Sequence, residues 1–252
     1  MSTIETDLIQ ASTGSNTALK LKGKGTGVVK IGDGELSFPD ADGSANQVLK
    51  TNGSGALSFT TLATGGGFTS WQIFSSSGTW TKPSGITKVR AIVVGAGGGG
   101  SDDSNGAGGG AGGTAIKVID VSSISSETVT IGTGGTDASN ATSGGTSSFG
   151  SHCSATGGGG GQSSYGTAGS AGAGSSGDFN AKGGRGAVAY SQNWGGANGG
   201  TPALYGVHGG GAAYGQWLAD TDAQFGGGGG GNGYGTSGLH GGDGLVIVEE
   251  YT

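Results

Sequence analysis

Charge is scarce in this chain. Only 11% of its residues are charged, against roughly a quarter in ordinary globular domains. Its 11 Lys and Arg stand against 17 Asp and Glu, for a net charge of -6. No basic stripe is available to track a phosphate backbone, so nucleic acid is not an expected partner. The low charge also excludes the highly charged kind of disorder. A single cysteine, Cys153, excludes an intrachain disulfide and reads as a small buried residue. Three prolines and no strict G-x-y register exclude a collagen triple helix. Apolar residues amount to 32%, thin for a conventional core, and no run approaches the ~18 residues of a membrane span. The start, MSTIETDLIQ, has neither the basic segment nor the apolar stretch of a secretion signal. A soluble chain is expected.

What is abundant is glycine, with 65 among 252 residues. Glycine loses the most conformational freedom on folding and brings no side chain to bury. Such a chain folds by satisfying backbone hydrogen bonds or by oligomerising. No helical periodicity of useful length follows residue 10, so a mainly β fold is expected. Residues 1–62 hold short apolar-polar alternations separated by glycine, which suit short strand repeats. Residues 63–67 read as a linker, and 68–252 as one glycine-rich β domain.

The strongest strand signals are Phe68 to Phe74, Gly78 to Thr81, Lys88 to Val94, Thr114 to Val121, Thr128 to Ile131 and Leu245 to Tyr251. These β-branched and aromatic runs predict a small sheet or sandwich whose first and last strands bracket everything between. Trp71 and Trp80 are expected to be buried on those strands. Between the brackets lie glycine runs, among them Gly97 to Gly100, Gly157 to Gly161 and Gly226 to Gly231. Polyproline II geometry has three residues per turn and no internal hydrogen bonds. Glycine in that geometry keeps its N–H and lacks a Cβ, so adjacent runs can approach closely and bond laterally. That satisfies the requirement that buried backbone groups be paired. The insertions are therefore predicted to be ordered and polyglycine II-like, with Gly226 to Gly231 buried.

Motifs for chemistry are weak. Gly95-Ala96-Gly97-Gly98-Gly99-Gly100 follows a strand as a dinucleotide fingerprint does. Residues 101–113, S-D-D-S-N-G-A-G-G-G-A-G-G, cannot form the helix that would hold the pyrophosphate. His152, His208 and His240 lack metal-ligand spacing, and the carboxylates show no hydrolase pair. No cofactor, no metal and no enzymatic activity are expected.

Two segments carry a family resemblance. Phe74-Ser75-Ser76-Ser77-Gly78-Thr79-Trp80-Thr81-Lys82-Pro83, running on to K-V-R-A-I-V-V-G-A-G-G-G-G, resembles the opening of glycine-rich domains in bacteriophage tail-fibre and receptor-binding proteins. Gly241-Gly242-Asp243-Gly244-Leu245-Val246-Ile247-Val248-Glu249 resembles their close, and Phe38 to Leu57 is similar to short phage-fibre repeats. The resemblance implies a tail-fibre or tail-tip adhesin on the virion, made in the host cytoplasm and generally homotrimeric. Its partners would be itself, other tail or virion proteins through residues 1–62, and a bacterial surface glycan or outer-membrane protein. A purely structural connector or capsid decoration is the alternative. Within residues 1–62, Phe38, Leu49, Leu57 and Phe59 are candidates for apolar contacts between chains. The candidate receptor-binding residues are Tyr190, Asn193, Trp194, Tyr205, His208, Tyr214, Gln216 and Trp217. They lie between glycine runs, where large side chains would be expelled to an edge or tip of the bundle. Tyr and Trp there offer rigid contact area at low entropic cost.

Overall fold

The structure is a computed structural model. It describes residues 30–31, 36–39, 42–62, 66–103, 105–163, 167–188, 197–204, 223–231 and 238–252. The chain divides into two compact units, Met1–Gly65 and Gly66–Thr252. The fold is all β, with no helix among the described residues.

The first unit holds two antiparallel pairs. β1 (Lys30–Ile31) pairs with β2 (Leu36–Ser37), and β3 (Gln47–Thr51) with β4 (Leu57–Thr61). In the turn between β3 and β4, Asn52 Oδ1 accepts from the amides of Ser54 (2.8 Å) and Ala56 (3.1 Å). Gly53 and Gly55 there take φ values of 80° and 82°, a left-handed region that side chains resist. The register sets Leu49 opposite Phe59 and Thr51 opposite Leu57. Because side chains alternate along a strand, Leu49, Leu57 and Phe59 share one face.

The second unit is built on two antiparallel sheets. Its strands are β5 (Phe68–Phe74), β6 (Gly78–Thr81), β7 (Lys88–Val94), β8 (Thr114–Asp120) and β9 (Ser126–Thr130). They continue with β10 (Ser147–Phe149), β11 (Cys153–Ala155), β12 (Gly174–Ser175), β13 (Phe179–Ala181) and β14 (Leu245–Tyr251). One sheet has the order β13-β8-β7-β14-β5 and the other β12-β11-β10-β9-β6. The last strand, β14, lies between the first, β5, and β7. The chain's two apolar brackets therefore meet in one sheet.

The core lies between the sheets. Val89, Val93, Val246 and Val248 meet Val129, Phe149 and Ala155, all fully buried. Trp80 packs edge-on against Phe149 with ring centroids 5.7 Å apart. Burying a phenylalanine such as Phe149 contributes about 1.5–3 kcal/mol. Glu250 follows Val246 and Val248 on the inward side of β14 and is 1% exposed. A buried carboxylate is tolerable only when fully hydrogen-bonded. Glu250 accepts from Trp80 Nε1 (2.8 Å), Gln72 Nε2 (2.7 Å) and Ser70 Oγ.

Two expectations are corrected here. Trp80 is buried, but Trp71 points outward from β5 and is 63% exposed. The register explains this, since Trp71 pairs with the outward Glu249, whereas Gln72 pairs with the inward Val248. The strands β10 to β13 lie in the zone that the sequence reading gave to glycine runs. They are short and built largely from Ser, Ala and Gly, yet Phe149 and Cys153 on them fill the core. Cys153 is 2% exposed, and burial pushes its thiol pKa up to about 11.

Candidate functional site: the glycine bundle and its loops

Most glycine-rich segments continue directly from a strand of the two sheets or lead back into one. β7 runs on at Gly95, β11 at Thr156 and β13 toward Gly183, while Gly113 enters β8 and Gly244 enters β14. The segments therefore leave the sandwich at one end and lie against one another.

Their hydrogen bonds repeat every third residue. The amides of Gly95, Gly98 and Ser101 donate to the carbonyls of Gly113, Gly110 and Ala107 at 3.0, 2.9 and 3.0 Å. Those of Ala96, Gly99 and Asp102 donate to Gly145, Thr142 and Ala138 at 3.1, 3.0 and 3.0 Å. Those of Gly97 and Gly100 donate to Gly242 and Leu239, both at 2.8 Å. The carbonyls receive from further segments: Ala96 and Gly99 from Gly158 and Gly161, Gly97 from Gly135, and Gly98 from Gly229. The run thus gives its amides in three directions and takes amides from three others. A period of three with purely lateral bonding is the arrangement of packed polyglycine II helices.

A second run, 107–113, repeats the pattern. Ala107, Gly110 and Gly113 donate to Gln162, Gly159 and Thr156, Gly108 and Ala111 to Ala187 and Gly184, and Gly109 and Gly112 to Gly229 and Gly226. No Cβ fits at most of these positions. One built on Gly97 would lie 2.9 Å from the amide nitrogen of Gly228, and one on Gly100 2.8 Å from that of Gly231. Where a methyl group does fit, alanine stands: Ala96, Ala107 and Ala111 are fully buried. Gly226 to Gly231 are buried, as the sequence reading expected.

The bundle has two ends. Gly95, Gly113, Gly226 and Asp243 mark the end next to the sheets, where the Gly226 amide donates to the Asp243 carbonyl at 2.7 Å. Ser101, Ala107, Gln162 and Ala187 mark the distal end. Six residues from Gly95 to Ser101 correspond to about 19 Å at ~3.1 Å per residue. At the distal end Ser101 Oγ donates to the Ser139 carbonyl at 2.8 Å, and His240 Nε2 lies 2.5 Å from an Asp137 carboxylate oxygen. Sequence reading weighed Asp137 only among the carboxylates that show no hydrolase pair, did not single out Ser139, and took His240 for an ordinary loop residue. Their one signal was a position flanking the glycine runs.

Residues 70–251 match the glycine-rich domain family. The chain belongs to that family. No curated protein matches it. Tyr190, Asn193 and Trp194 lie outside the described residues; of the residues that border them, the Ala187 amide donates to the Asn198 carbonyl at 2.9 Å at the distal end. Tyr205, His208, Tyr214, Gln216 and Trp217 also lie outside the described residues. Of the described residues that border them, Pro202 and Gly226 lie next to the sheets, with Pro202 and Val94 both beside Gly226. Among the described residues, no group of three or more His, Cys, Asp or Glu side chains could hold a metal ion.

Proposed function

We propose that this protein is a phage tail-fibre or tail-tip adhesin that binds a bacterial surface receptor through the inserts between its glycine helices. The observation that carries the reading is the cross-bonded bundle. Loops on a scaffold held by lateral bonds in every direction can vary in length and side chain without disturbing it. The inserts carry Tyr190, Trp194, Tyr205, Tyr214 and Trp217, residue types that supply most of the energy at recognition surfaces. The resemblance of both brackets to phage receptor-binding domains supports the same reading. On this reading the protein sits on the virion, with residues 1–62 joining it to other tail proteins and to further copies of itself in a homotrimer. The shared apolar face of Leu49, Leu57 and Phe59 supports that role, because a lone two-stranded hairpin is marginally stable in water.

The test is adsorption of the purified chain to bacteria, with Trp194→Ala, Tyr205→Ala and Trp217→Ala measured singly. Saturable binding that falls at least tenfold in one or more variants supports the proposal. No adsorption to any bacterium tested would favour a structural connector. Equal adsorption by the parent and all three variants would place the receptor contact elsewhere.

A further inference from the structure

The geometry points to β5 as a pairing edge for a second copy of this chain. Edge strands expose a row of main-chain donors and acceptors, and proteins blunt them with charge, proline or shortness. Among the described residues, the glycine-rich domain does so at three of four sheet edges. β12 is two residues long. β13 is three residues long and lies between Asp178 and Lys182, with Asp178 Oδ2 already accepting from the Val118 amide at 2.9 Å. β6 has four residues and runs into Lys82.

The fourth edge is different. β5 reads F-T-S-W-Q-I-F over seven residues, with no charge, no proline and no glycine. Phe68, Trp71 and Ile73 on it are 57%, 63% and 58% exposed. Its one irregularity is a register shift opposite Glu250 and Tyr251, which leaves Ser70 to Phe74 regular.

The occupant follows from the same residues. In a chain of net charge -6, a neutral strand can face a copy of itself without setting like charges opposite one another. Antiparallel pairing of the regular stretch about Gln72 sets Ser70 against Phe74 and Trp71 against Ile73 of the other copy, each twice. Both Trp71 and Ile73 lie on the outward face, and aromatic with β-branched is a favourable cross-strand pair. Such a contact is self-complementary and closed by a two-fold axis. It joins two five-stranded sheets into one continuous sheet, with main-chain bonds supplying affinity. The pairing is independent of the receptor reading, since either could fail with the other intact.

Sedimentation of the full chain tests it with two double variants at the outward positions. Trp71→Lys with Ile73→Lys sets like charges opposite each other and is expected to halve the particle mass, from two chains to one or, with the homotrimer through residues 1–62, from two trimers to one. Trp71→Lys with Ile73→Asp sets opposite charges together and is expected to restore the parent mass. A third variant, Trp71→Cys with Ile73→Cys, is expected to run at twice the chain mass on a non-reducing gel after mild oxidation, because Cys153 is buried. The same mass for the parent and the doubly lysine-substituted chain would overturn the inference. So would absence of the cross-linked pair from a folded cysteine variant.

Discussion

Replacing Gly228 by alanine adds one methyl group at a place where only backbone surrounds it. The new Cβ would lie 2.6 Å from the carbonyl carbon of Gly109 and 2.8 Å from that of Gly110, closer still to the Gly109 oxygen. No side chain can rotate aside, so the segments must separate by about 0.8 Å or more to reach ordinary contact. Three bonds cross that spot: Gly228 to Gly200 (2.9 Å), Gly109 to Gly229 (2.8 Å) and Gly229 to Gly98 (2.8 Å). Each buried group left unpaired costs about 1–3 kcal/mol, so their loss costs about 3–9 kcal/mol. That is a large share of the ~5–15 kcal/mol that holds a domain folded. With ~2–4 °C per kcal/mol for a domain of this size, the midpoint of thermal unfolding is expected to fall by at least about 6 °C. Gly78→Ala is the control, because its nearest neighbour is the Phe74 ring at 3.8 Å, and it is expected to change little. A Gly228→Ala chain melting within about 2 °C of the parent would refute the close-packing argument.

Glu250→Ala removes the acceptor for Trp80, Gln72 and Ser70 inside the core. It is expected to cost at least about 3 kcal/mol in denaturant unfolding, at ~1–3 kcal/mol per stranded donor. The Arg90 guanidinium donates to both oxygens of Glu249, at 2.7 and 2.8 Å, and holds its carboxyl below the usual range. A carboxyl depressed in the folded state stabilises above its unfolded pKa and loses that contribution as pH falls through the folded value. Melting temperature is therefore expected to decline below about pH 4.5, with a shallower decline in Arg90→Gln. Cys153, with its thiol raised to about 11, is expected to stay unlabelled by a thiol reagent at pH 8 until the chain is denatured.

The long strands could be read from sequence because their alternation is strong. Lys88 to Val94 and Leu245 to Tyr251 are rich in β-branched residues, and their pairing in one sheet follows from closing the brackets. The three-residue strands could not. Ser147-Ser148-Phe149 and Cys153-Ser154-Ala155 are strands because Phe149 and Cys153 find a core between the sheets, and no local propensity announces that. The polyglycine geometry could be anticipated from the lack of Cβ atoms. The inclusion of Thr142, Ser170 and Leu239 in the lateral bonding could not, because it depends on which carbonyl each amide meets. Equally hidden was the placing of Ala187 and Pro202, which border the two aromatic inserts in sequence, at opposite ends of the bundle.

Amide hydrogen exchange on the intact chain tests the central claim most directly. If the glycine segments form a laterally bonded bundle, the amides of Gly97 to Gly100 and Gly108 to Gly113 exchange orders of magnitude more slowly than in an unstructured glycine peptide. Their protection should approach that of Val89 to Val93 in β7, because the same folded unit holds both. Exchange of these glycines at the unstructured rate, with β7 protected, would contradict the bundle and leave the sandwich as the only ordered part of the domain.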